Sequence, residues 1–172
     1  MVSMKEKIKG WFAGGRGGHK EIVLCAPLTG RVVPLSEVKD ETFASKILGD
    51  GVAVMPIASE LRAPVDGSVE QAFESGHAVT LVSDEGVELL LHIGIDTVEL
   101  KGKHFDMLVR AGDRVKQGQV LIRFDKEAIG AAGYDVTTPM VIGNSELFEI
   151  DVVATGDVGA GCPLLRLKRK DT

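Results

Sequence analysis

The chain has 172 residues, of which 44% are hydrophobic, 26% charged and 5% aromatic, and this composition excludes an intrinsically disordered chain. The net charge of −5 argues against a basic, phosphate-binding surface, so we expect no nucleic-acid partner. No apolar run reaches the ~20 residues of a membrane-spanning helix, and two cysteines are too few for a disulfide framework.

The first 20 residues differ from the rest in charge and glycine content. The sequence predicts a short basic helix over Met4–Phe12, with Trp11 and Phe12 on one face, followed by a Gly-rich tether. Such a helix can lie on an anionic membrane surface, so residues 4–12 are a candidate membrane contact. A frayed, solvated terminus is an equally good interpretation of the same residues. Because no signal peptide is recognisable, we expect a cytoplasmic protein, at most peripheral to the inner membrane surface. The expected boundaries are 1–20 for helix and tether, 21–168 for one folded domain and 169–172 for a C-terminal tail.

Short runs rich in Val, Ile and Leu follow one another along the rest of the chain. Most are bounded by Gly, Pro, Asp or Asn, which is typical of strands joined by tight turns. The predicted strands are Glu21–Leu28, Arg31–Leu35, Gly51–Pro56, Gly67–Phe73, Ala78–Ser83, Val87–Ile93, Gln119–Phe124, Pro139–Gly143, Phe148–Ala154 and Leu164–Leu167. Helix signals are few, and the predicted short helices are Glu41–Leu48, His104–Arg110 and Lys126–Ala132.

The sequence contains an internal repeat. The segments Leu24–Val32 and Leu61–Val69 share Leu, Ala, Pro, Gly and Val at the same positions. A looser similarity relates Gly112–Phe124 to Gly156–Leu167. Two copies of each hairpin unit suggest that each half of the molecule covers the apolar face of the other. We therefore predict an all-β fold, an antiparallel β-sandwich or barrel with an internally duplicated (hybrid) motif and a few short helices.

Two of the four histidines are predicted to lie at the same end of one β-hairpin. His77 precedes one strand, and His92 lies near the end of the next. Pairing across the intervening turn sets Val82 opposite Val87, and so His77 opposite His92. The two-residue period of a strand then places His92 on the same face as Leu90, in an apolar environment.

An imidazole pair can serve phosphoryl transfer or metal binding. A single buried histidine usually has a structural role, whereas two neighbouring ones favour chemistry. One imidazole has a lone pair that can attack phosphorus or bind a metal, and the second can donate a hydrogen bond to a phosphoryl oxygen. Ser75 can add a hydroxyl, the Gly94 region can supply backbone N–H groups, and Asp96 is suited to attracting a cationic partner.

These residues carry a resemblance to a known family. The segment His92–Gly102, together with Ala26–Gly30, Ala63–Gly67 and Phe73–His77, resembles the glucose-type enzyme IIA of the bacterial phosphoenolpyruvate:sugar phosphotransferase system. The similarity extends over most of the predicted domain. The family fold is an antiparallel β-sandwich with an internally duplicated motif, which agrees with the repeats.

The resemblance implies a phosphotransferase component that works through a phosphohistidine and serves sugar uptake coupled to sugar phosphorylation. His92 would accept the phosphoryl group from phospho-HPr and pass it to a sugar-specific IIB domain. His77 would hold the phosphoryl oxygens, supported by the hydroxyl of Ser75, which stands where the family often has Thr. No cofactor is required, and zinc bound by His77 and His92 at a partner interface would be incidental. The residues implied in partner binding are Asp40, Phe43, Ile47, Phe73, Val79, Leu90 and Asp96, of which Val79 and Leu90 are Phe in well-known members.

Three other interpretations remain open at this point. A zinc metallopeptidase of the related duplicated-hybrid fold would need three protein ligands, and the His-x-His pair of such peptidases is absent. A lipoyl- or biotinyl-carrier domain would present its lysine at a hairpin tip, whereas Lys126 leads into a predicted helix. A purely regulatory binding protein with the same fold is the third, and regulatory targets are a further expectation that the resemblance carries.

Overall fold

The computed structural model describes residues 20–171. The helix predicted over Met4–Phe12, its membrane contact and most of the Gly-rich tether lie outside the described residues. Within residues 20–171, no helix has the length and apolar character that crossing a bilayer requires.

Strands dominate the described part of the chain. The two short α-helices are α1 (Glu41–Ala44) and α2 (Lys126–Ala131), and single 3-10 turns span Leu35–Glu37, Thr97–Leu100 and Ser145–Leu147. The strands are β1 (Glu21–Cys25), β2 (Gly30–Pro34), β3 (Asp50–Pro56), β4 (Glu60–Arg62), β5 (Gly67–Ala72), β6 (Ala78–Ser83), β7 (Glu88–His92), β8 (Phe105–Met107), β9 (Arg114–Val115), β10 (Val120–Phe124), β11 (Thr138–Ile142), β12 (Phe148–Val152), β13 (Asp157–Val158) and β14 (Pro163–Arg169).

The strands form three antiparallel sheets around one main core. The large sheet has the order β13-β2-β3-β11-β7-β6-β5-β9, and the two small sheets have the orders β1-β14-β12 and β4-β10-β8. Leu89 and Leu91 of the large sheet, Leu165 of the first small sheet and Leu121 of the second all belong to the same buried cluster. The predicted all-β sandwich is therefore confirmed.

The internal repeat is visible as a reciprocal pattern of hydrogen bonds. The Cys25 N–H donates to the carbonyl of Pro64 at 3.0 Å, and in the matching position of the other copy the Arg62 N–H donates to the carbonyl of Pro27 at 2.8 Å. Each copy contains a glycine, Gly30 or Gly67, at which the next strand begins. A Cβ at Gly30 would lie 2.1 Å from the Met55 carbonyl oxygen, and one at Gly67 would lie 2.3 Å from that of Val82. Only glycine permits these close backbone approaches.

All ten predicted strands are present, whereas two of the predicted elements need correction. The predicted helix His104–Arg110 is wrong, because His104 has a φ of 78° and the following residues form β8, in which Phe105 pairs with Phe124. The predicted helix Glu41–Leu48 is shorter, since the chain turns left-handed at Lys46, with a φ of 63°. The last strand also runs through Arg169, one residue beyond the predicted domain end.

The hairpin that carries the histidines has a register one residue away from the predicted one. Ser83, not Val82, lies opposite Val87: the Ser83 N–H donates to the Val87 carbonyl at 2.9 Å, and the Ser83 hydroxyl accepts from the Val87 N–H. The loop therefore has three residues and uses Gly86, with a φ of 87°, for the left-handed position. As a result, His92 pairs with Ala78 rather than with His77.

Candidate functional site

Strand β7 presents alternate side chains to two separate apolar clusters. Leu89 and Leu91 point into the main core. Leu90 and His92 point to the opposite face of the large sheet, as predicted from the two-residue period, and Leu90 packs there against a smaller cluster. We call this smaller set the outer apolar cluster, and its buried members are Leu35, Val38, Phe43, Ala53, Ile95 and Val141.

The imidazole of His92 is held in one tautomer by a backbone carbonyl. Its Nδ1 lies 2.8 Å from the carbonyl oxygen of Gly94. Because a carbonyl oxygen only accepts, Nδ1 carries the proton, and in the neutral ring Nε2 keeps a free lone pair. The ring of Phe43, from the outer apolar cluster, meets the His92 ring edge-on at a centroid distance of 5.2 Å.

Gly94 is required for this arrangement by its conformation and its surroundings. Its φ is 78°, and a Cβ there would lie 2.6 Å from Thr97 Cγ2 and 2.9 Å from the Asp135 carbonyl oxygen. The Thr97 side chain is fully buried, and its hydroxyl donates to the carbonyl of Ile93. The turn that carries the Gly94 carbonyl is therefore fixed from both sides.

His77 lies beside His92 although the two are not paired in the sheet. The ring centroids are 4.8 Å apart, with the planes nearly perpendicular. The His77 ring is 3% exposed and is flanked by Phe73 at 5.6 Å and Phe105 at 6.5 Å. Its Nδ1 is buried and makes no hydrogen bond of standard geometry within residues 20–171, although the backbone of Ser75 is close enough to raise the pKa of the ring. His77 can therefore offer only Nε2 to a ligand.

The surroundings keep both histidines uncharged near neutral pH. Burial lowers the pKa of His77 to about 4, with the neighbouring His92 as a second cause in the same direction. Burial also lowers the pKa of His92, although the Gly94 carbonyl and the charges of Asp40 and Asp96 act in the opposite direction. A neutral His92 with a free Nε2 is chemically a nucleophile.

Several of the predicted partner-binding residues surround the pair. Asp40 caps α1, because its carboxylate accepts from the Thr42 N–H at 2.8 Å, and this helix carries Phe43. Ile47 is 76% exposed. Asp96 is exposed and lies two residues beyond Gly94, with a left-handed φ of 60°.

Ser75 lies close to His77 in the chain, and its role stays a prediction. It precedes Gly76, whose φ of 73° turns the chain toward His77. The side chain is half-buried, and within residues 20–171 its hydroxyl makes no hydrogen bond to either imidazole.

One expectation about the site is corrected by the structure. Val79 has no exposed surface and packs in the main core, since it points to the same face of β6 as Leu81, so it is not accessible to a partner. The expected backbone N–H donors of the Gly94 region stay a prediction. Gly94 offers its carbonyl to His92, and the Ile95 N–H is bonded to the Asp135 carbonyl at 2.9 Å, so Ile95 is not one of these donors.

The sequence-based interpretation missed Phe105 and Thr97 as parts of the site. Phe105 packs on His77 from β8, a segment that was predicted to be a helix. A Cβ at Gly76 would lie 2.9 Å from Phe105 Cβ, so the two segments are in close contact. The buried hydroxyl of Thr97 had a signal in the sequence, because a threonine after the Gly-Ile-Asp turn is well placed to bond the backbone.

A metal at this site would need ligands from another molecule. Within residues 20–171, no group of three or more His, Cys, Asp and Glu side chains is arranged to hold a metal ion. His77 and His92 offer two imidazoles, whereas catalytic zinc takes three protein ligands. The described residues thus do not support a zinc peptidase. The carrier-domain alternative also lacks support, because Lys126 opens α2 instead of standing at a hairpin tip.

Comparisons with known proteins agree with this geometry. Residues 22–148 match the family model described as the phosphoenolpyruvate-dependent sugar phosphotransferase system, EIIA 1. The chain is 33% identical to the glucose permease IIA from Mycoplasma capricolum, a solved structure, with a TM-score of 0.82 over 86% of this chain and 96% of that one.

Two curated relatives are longer proteins. A beta-glucoside-specific EIIBCA component from Dickeya chrysanthemi is 49% identical over 152 residues, which cover 88% of this chain and 24% of that protein. A glucose-specific EIICBA component from Staphylococcus saprophyticus is 46% identical over 140 residues, which cover 81% of this chain and 21% of that protein. The chain thus spans less than a quarter of the length of these relatives, and it belongs to the EIIA family of the phosphoenolpyruvate-dependent sugar phosphotransferase system.

Proposed function

We propose that the chain is a phosphohistidine carrier that takes a phosphoryl group from phospho-HPr onto His92 Nε2 and passes it to a sugar-specific IIB domain, for sugar uptake coupled to phosphorylation. One observation carries this proposal: the hydrogen bond between His92 Nδ1 and the Gly94 carbonyl, which leaves Nε2 as the free nucleophilic nitrogen. Family membership supports it, because the EIIA domain is a phosphotransferase component.

The same hydrogen bond assists the transfer step. The Nε2 lone pair forms a bond to phosphorus while the bond between phosphorus and the donor's imidazole nitrogen breaks, and that nitrogen keeps the electron pair. Because Nδ1 retains its proton, the His92 ring becomes positively charged as the new bond forms. The Gly94 carbonyl and the charges of Asp40 and Asp96 favour a cationic ring, as their effect on the pKa of His92 indicates.

His77 is suited to hold the phosphoryl oxygens without taking the group itself. Its pKa of about 4 keeps it neutral, and its Nε2 can donate a hydrogen bond beside His92. Its flanking aromatic rings fix its orientation. Ser75, whose hydroxyl has no hydrogen bond to either imidazole, would add a second donor.

The surface around His92 suits transient contacts with more than one protein. Apolar side chains surround the imidazoles, and the acidic residues Asp40 and Asp96 lie beside them. HPr and IIB would use this surface in turn, because one histidine must serve both. The names of the relatives place EIIA together with B and C components in one chain, which supports a IIB partner. Further regulatory targets, and zinc held by His77 and His92 with ligands from a partner, remain proposals for the same surface. The residues proposed for partner contact are Asp40, Phe43, Ile47, Phe73, Leu90 and Asp96.

The direct test is intact mass after incubation with phosphoenolpyruvate, enzyme I and HPr at neutral pH. We expect a gain of one phosphoryl group that brief acid treatment removes, because an N-phosphorylated imidazole is acid-labile. His92→Ala should abolish the gain, and His104→Asn should keep it, since His104 occupies a left-handed position before β8 and is not proposed to take part in the transfer. A gain that persists in His92→Ala would overturn the assignment of the nucleophile, and no gain in the wild-type chain would overturn the carrier function.

The same assay separates the roles of the two histidines. His77→Gln should still accept the phosphoryl group, because Nε2 of His92 is unchanged, and it should pass the group to IIB slowly. Normal sugar phosphorylation by His77→Gln would remove His77 from the transfer step.

A further inference from the structure

The loop that joins α2 to β11 contacts the turn that holds His92. The Ile95 N–H donates to the Asp135 carbonyl at 2.9 Å. The same carbonyl oxygen lies against Gly94, since a Cβ there would be 2.9 Å from it. Asp135 is distant from His92 in the sequence, and the fold brings its backbone to the edge of the transfer site.

A single peptide group connects Asp135 with the His92 imidazole. Its carbonyl is that of Gly94, which lies 2.8 Å from His92 Nδ1, and its N–H is that of Ile95, which donates to Asp135. No peptide bond within residues 20–171 is cis, and in a planar trans peptide the C=O and the N–H point in opposite directions. The two hydrogen bonds therefore form one continuous chain from Nδ1, through the peptide group, to the Asp135 carbonyl.

This chain of hydrogen bonds fixes the Gly94 carbonyl and strengthens it as an acceptor. If the peptide group turned, both hydrogen bonds would break together. Hydrogen bonds in a chain also polarise one another, so a carbonyl accepts more strongly when the N–H of its own peptide group is bonded. The acceptor for His92 Nδ1 is therefore held in position from outside the turn.

The side chain of Asp135 holds the loop in place. Its Oδ1 accepts from the Thr137 N–H at 2.9 Å and from the Thr137 hydroxyl at 2.7 Å. Thr137 is 4% exposed and directly precedes β11, which pairs with β7. The half-buried carboxylate thus ties the loop to the strand beside the one that carries His92.

The hydrogen bonds of Asp135 can be separated from its charge by substitution. The carboxylates whose charge raises the pKa of His92 are those of Asp40 and Asp96. An asparagine has the same Oδ1 acceptor without the charge, so it can replace Asp135 in the bonds to Thr137. An alanine has neither the acceptor nor the charge.

We propose that Asp135 is a positioning residue for phosphoryl transfer, which holds the proton on His92 Nδ1 through the peptide group between Gly94 and Ile95. Without a fixed Gly94 carbonyl, the proton is free to occupy Nε2, where it takes the lone pair that attacks phosphorus. As the bond to phosphorus forms, the ring gains positive charge and its bond to this carbonyl becomes charge-assisted. The effect on transfer rests on the proposed carrier function, whereas the effect on the proton does not.

The first test is the nitrogen-15 NMR spectrum of the histidine side chains at neutral pH, without any partner protein. For His92 of the wild-type chain we expect a protonated Nδ1 and a bare Nε2, with the signals assigned from their loss in His92→Ala. Asp135→Ala should show the proton shared between the two nitrogens, and Asp135→Asn should give the wild-type spectrum. Asp66→Ala is the matched control. Asp66 also accepts from a backbone N–H, that of Gln117 at 2.8 Å, and it lies at the opposite end of the β6–β7 hairpin.

The second test is the rate of phosphoryl acceptance at saturating phospho-HPr. Asp135→Ala should lower this rate about tenfold and leave the KM for HPr unchanged, because a hydrogen bond to a developing charge is weakened. Asp135→Asn and Asp66→Ala should keep the wild-type rate. If the wild-type chain accepted no phosphoryl group, the proposed function would be wrong, and the NMR spectra would still decide whether Asp135 holds the proton.

The proposal is overturned if folded Asp135→Ala keeps the proton on His92 Nδ1, or if Asp135→Asn behaves like Asp135→Ala. Thr137→Val decides the question if Asp135→Ala does not fold. It removes only one of the two bonds to Asp135 and keeps a side chain of similar size in a buried position. It should shift the proton and slow acceptance in the same direction by a smaller amount. In that case, a wild-type spectrum and rate for Thr137→Val would overturn the proposal.

Discussion

The two faces of β7 show how one strand serves both stability and chemistry. On the inner face, Leu89 and Leu91 are 2% and 0% exposed and pack into a core that all three sheets share. On the outer face, Leu90 and His92 are only half-buried, against a cluster of a few residues. The inner face is closed to other molecules, whereas the outer face keeps an imidazole in apolar surroundings that a partner can still reach.

This difference explains how the imidazole of His92 stays neutral and yet remains accessible to a partner protein. Burial of His92 is sufficient to lower its pKa, and the Gly94 carbonyl sets its tautomer. A phosphoryl group on such a ring is partly shielded from water by the apolar neighbours. Since these neighbours cover the His92 ring only in part, a partner protein can shield the remaining exposed surface when it binds.

The largest expected effect is a difference in stability between two leucine substitutions, one on each face of β7. Leu91→Ala should lower the free energy of unfolding by about 3 kcal/mol, because it leaves a cavity in a fully packed core. Leu90→Ala should cost about 1 kcal/mol, since less apolar surface is lost from water there. Chemical denaturation of both variants measures the two values.

The same two variants should reverse their order in a transfer assay. Under conditions where both remain folded, Leu90→Ala should slow phosphoryl transfer from HPr more than Leu91→Ala, because it alone lies on the outer face. Equal losses of stability, or a slower transfer for Leu91→Ala, would contradict the division between the faces.

A second prediction concerns His77, which is as buried as a core residue yet can titrate. Its pKa is lowered from 6.5 to about 4 in the folded chain, so between these values the unfolded chain binds more protons. The stability that the neutral ring contributes is therefore complete above pH 6.5 and is lost as the pH falls toward 4. We expect this residue to make the free energy of unfolding about 2 kcal/mol lower at pH 5 than at pH 7.

Urea unfolding of the wild-type chain and of His77→Gln at both pH values measures this contribution. Glutamine does not titrate. Between pH 7 and pH 5 the free energy of unfolding of His77→Gln should therefore fall by about 2 kcal/mol less than that of the wild-type chain. Identical pH dependence in the two proteins would show that His77 is not held neutral by the fold.

Local signals in the sequence were sufficient for most of the fold. Runs of β-branched residues between glycines predicted the long strands, and the shared Ala-Pro-x-x-Gly-x-Val pattern predicted the duplication. The short strands β4, β8, β9 and β13 were not predicted, because strands of two or three residues are defined by their pairing partners rather than by their own composition. The helix prediction for residues 104–110 was wrong for the same reason. The apolar spacing of this segment fits a helix, yet pairing with β10 makes Phe105–Met107 a strand.

The histidine pair could be predicted even though the register was wrong by one residue. A hairpin brings both residues to one end of the sheet, and imidazole rings are long enough to meet across a diagonal. The burial of Val79 was not predicted, since the family resemblance carried it over as a surface position while the alternation of β6 turns it inward. The packing of Phe105 on His77 depends on a contact between distant segments, for which the sequence contained no local signal.

The smallest expected effect concerns the charges beside the outer face. Asp96→Asn removes a negative charge close to His92 and should slow phosphoryl acceptance from HPr by roughly two- to fivefold at low salt, because steering of a cationic partner weakens. The difference from the wild-type chain should vanish at high salt, since screening removes the steering in both. Asp151→Asn is the matched control, because Asp151 is exposed on β12 of a different sheet. Rates measured across a salt series decide the question: an equal effect of the two substitutions would mean that net charge, and not a charge placed beside the outer face, governs encounter.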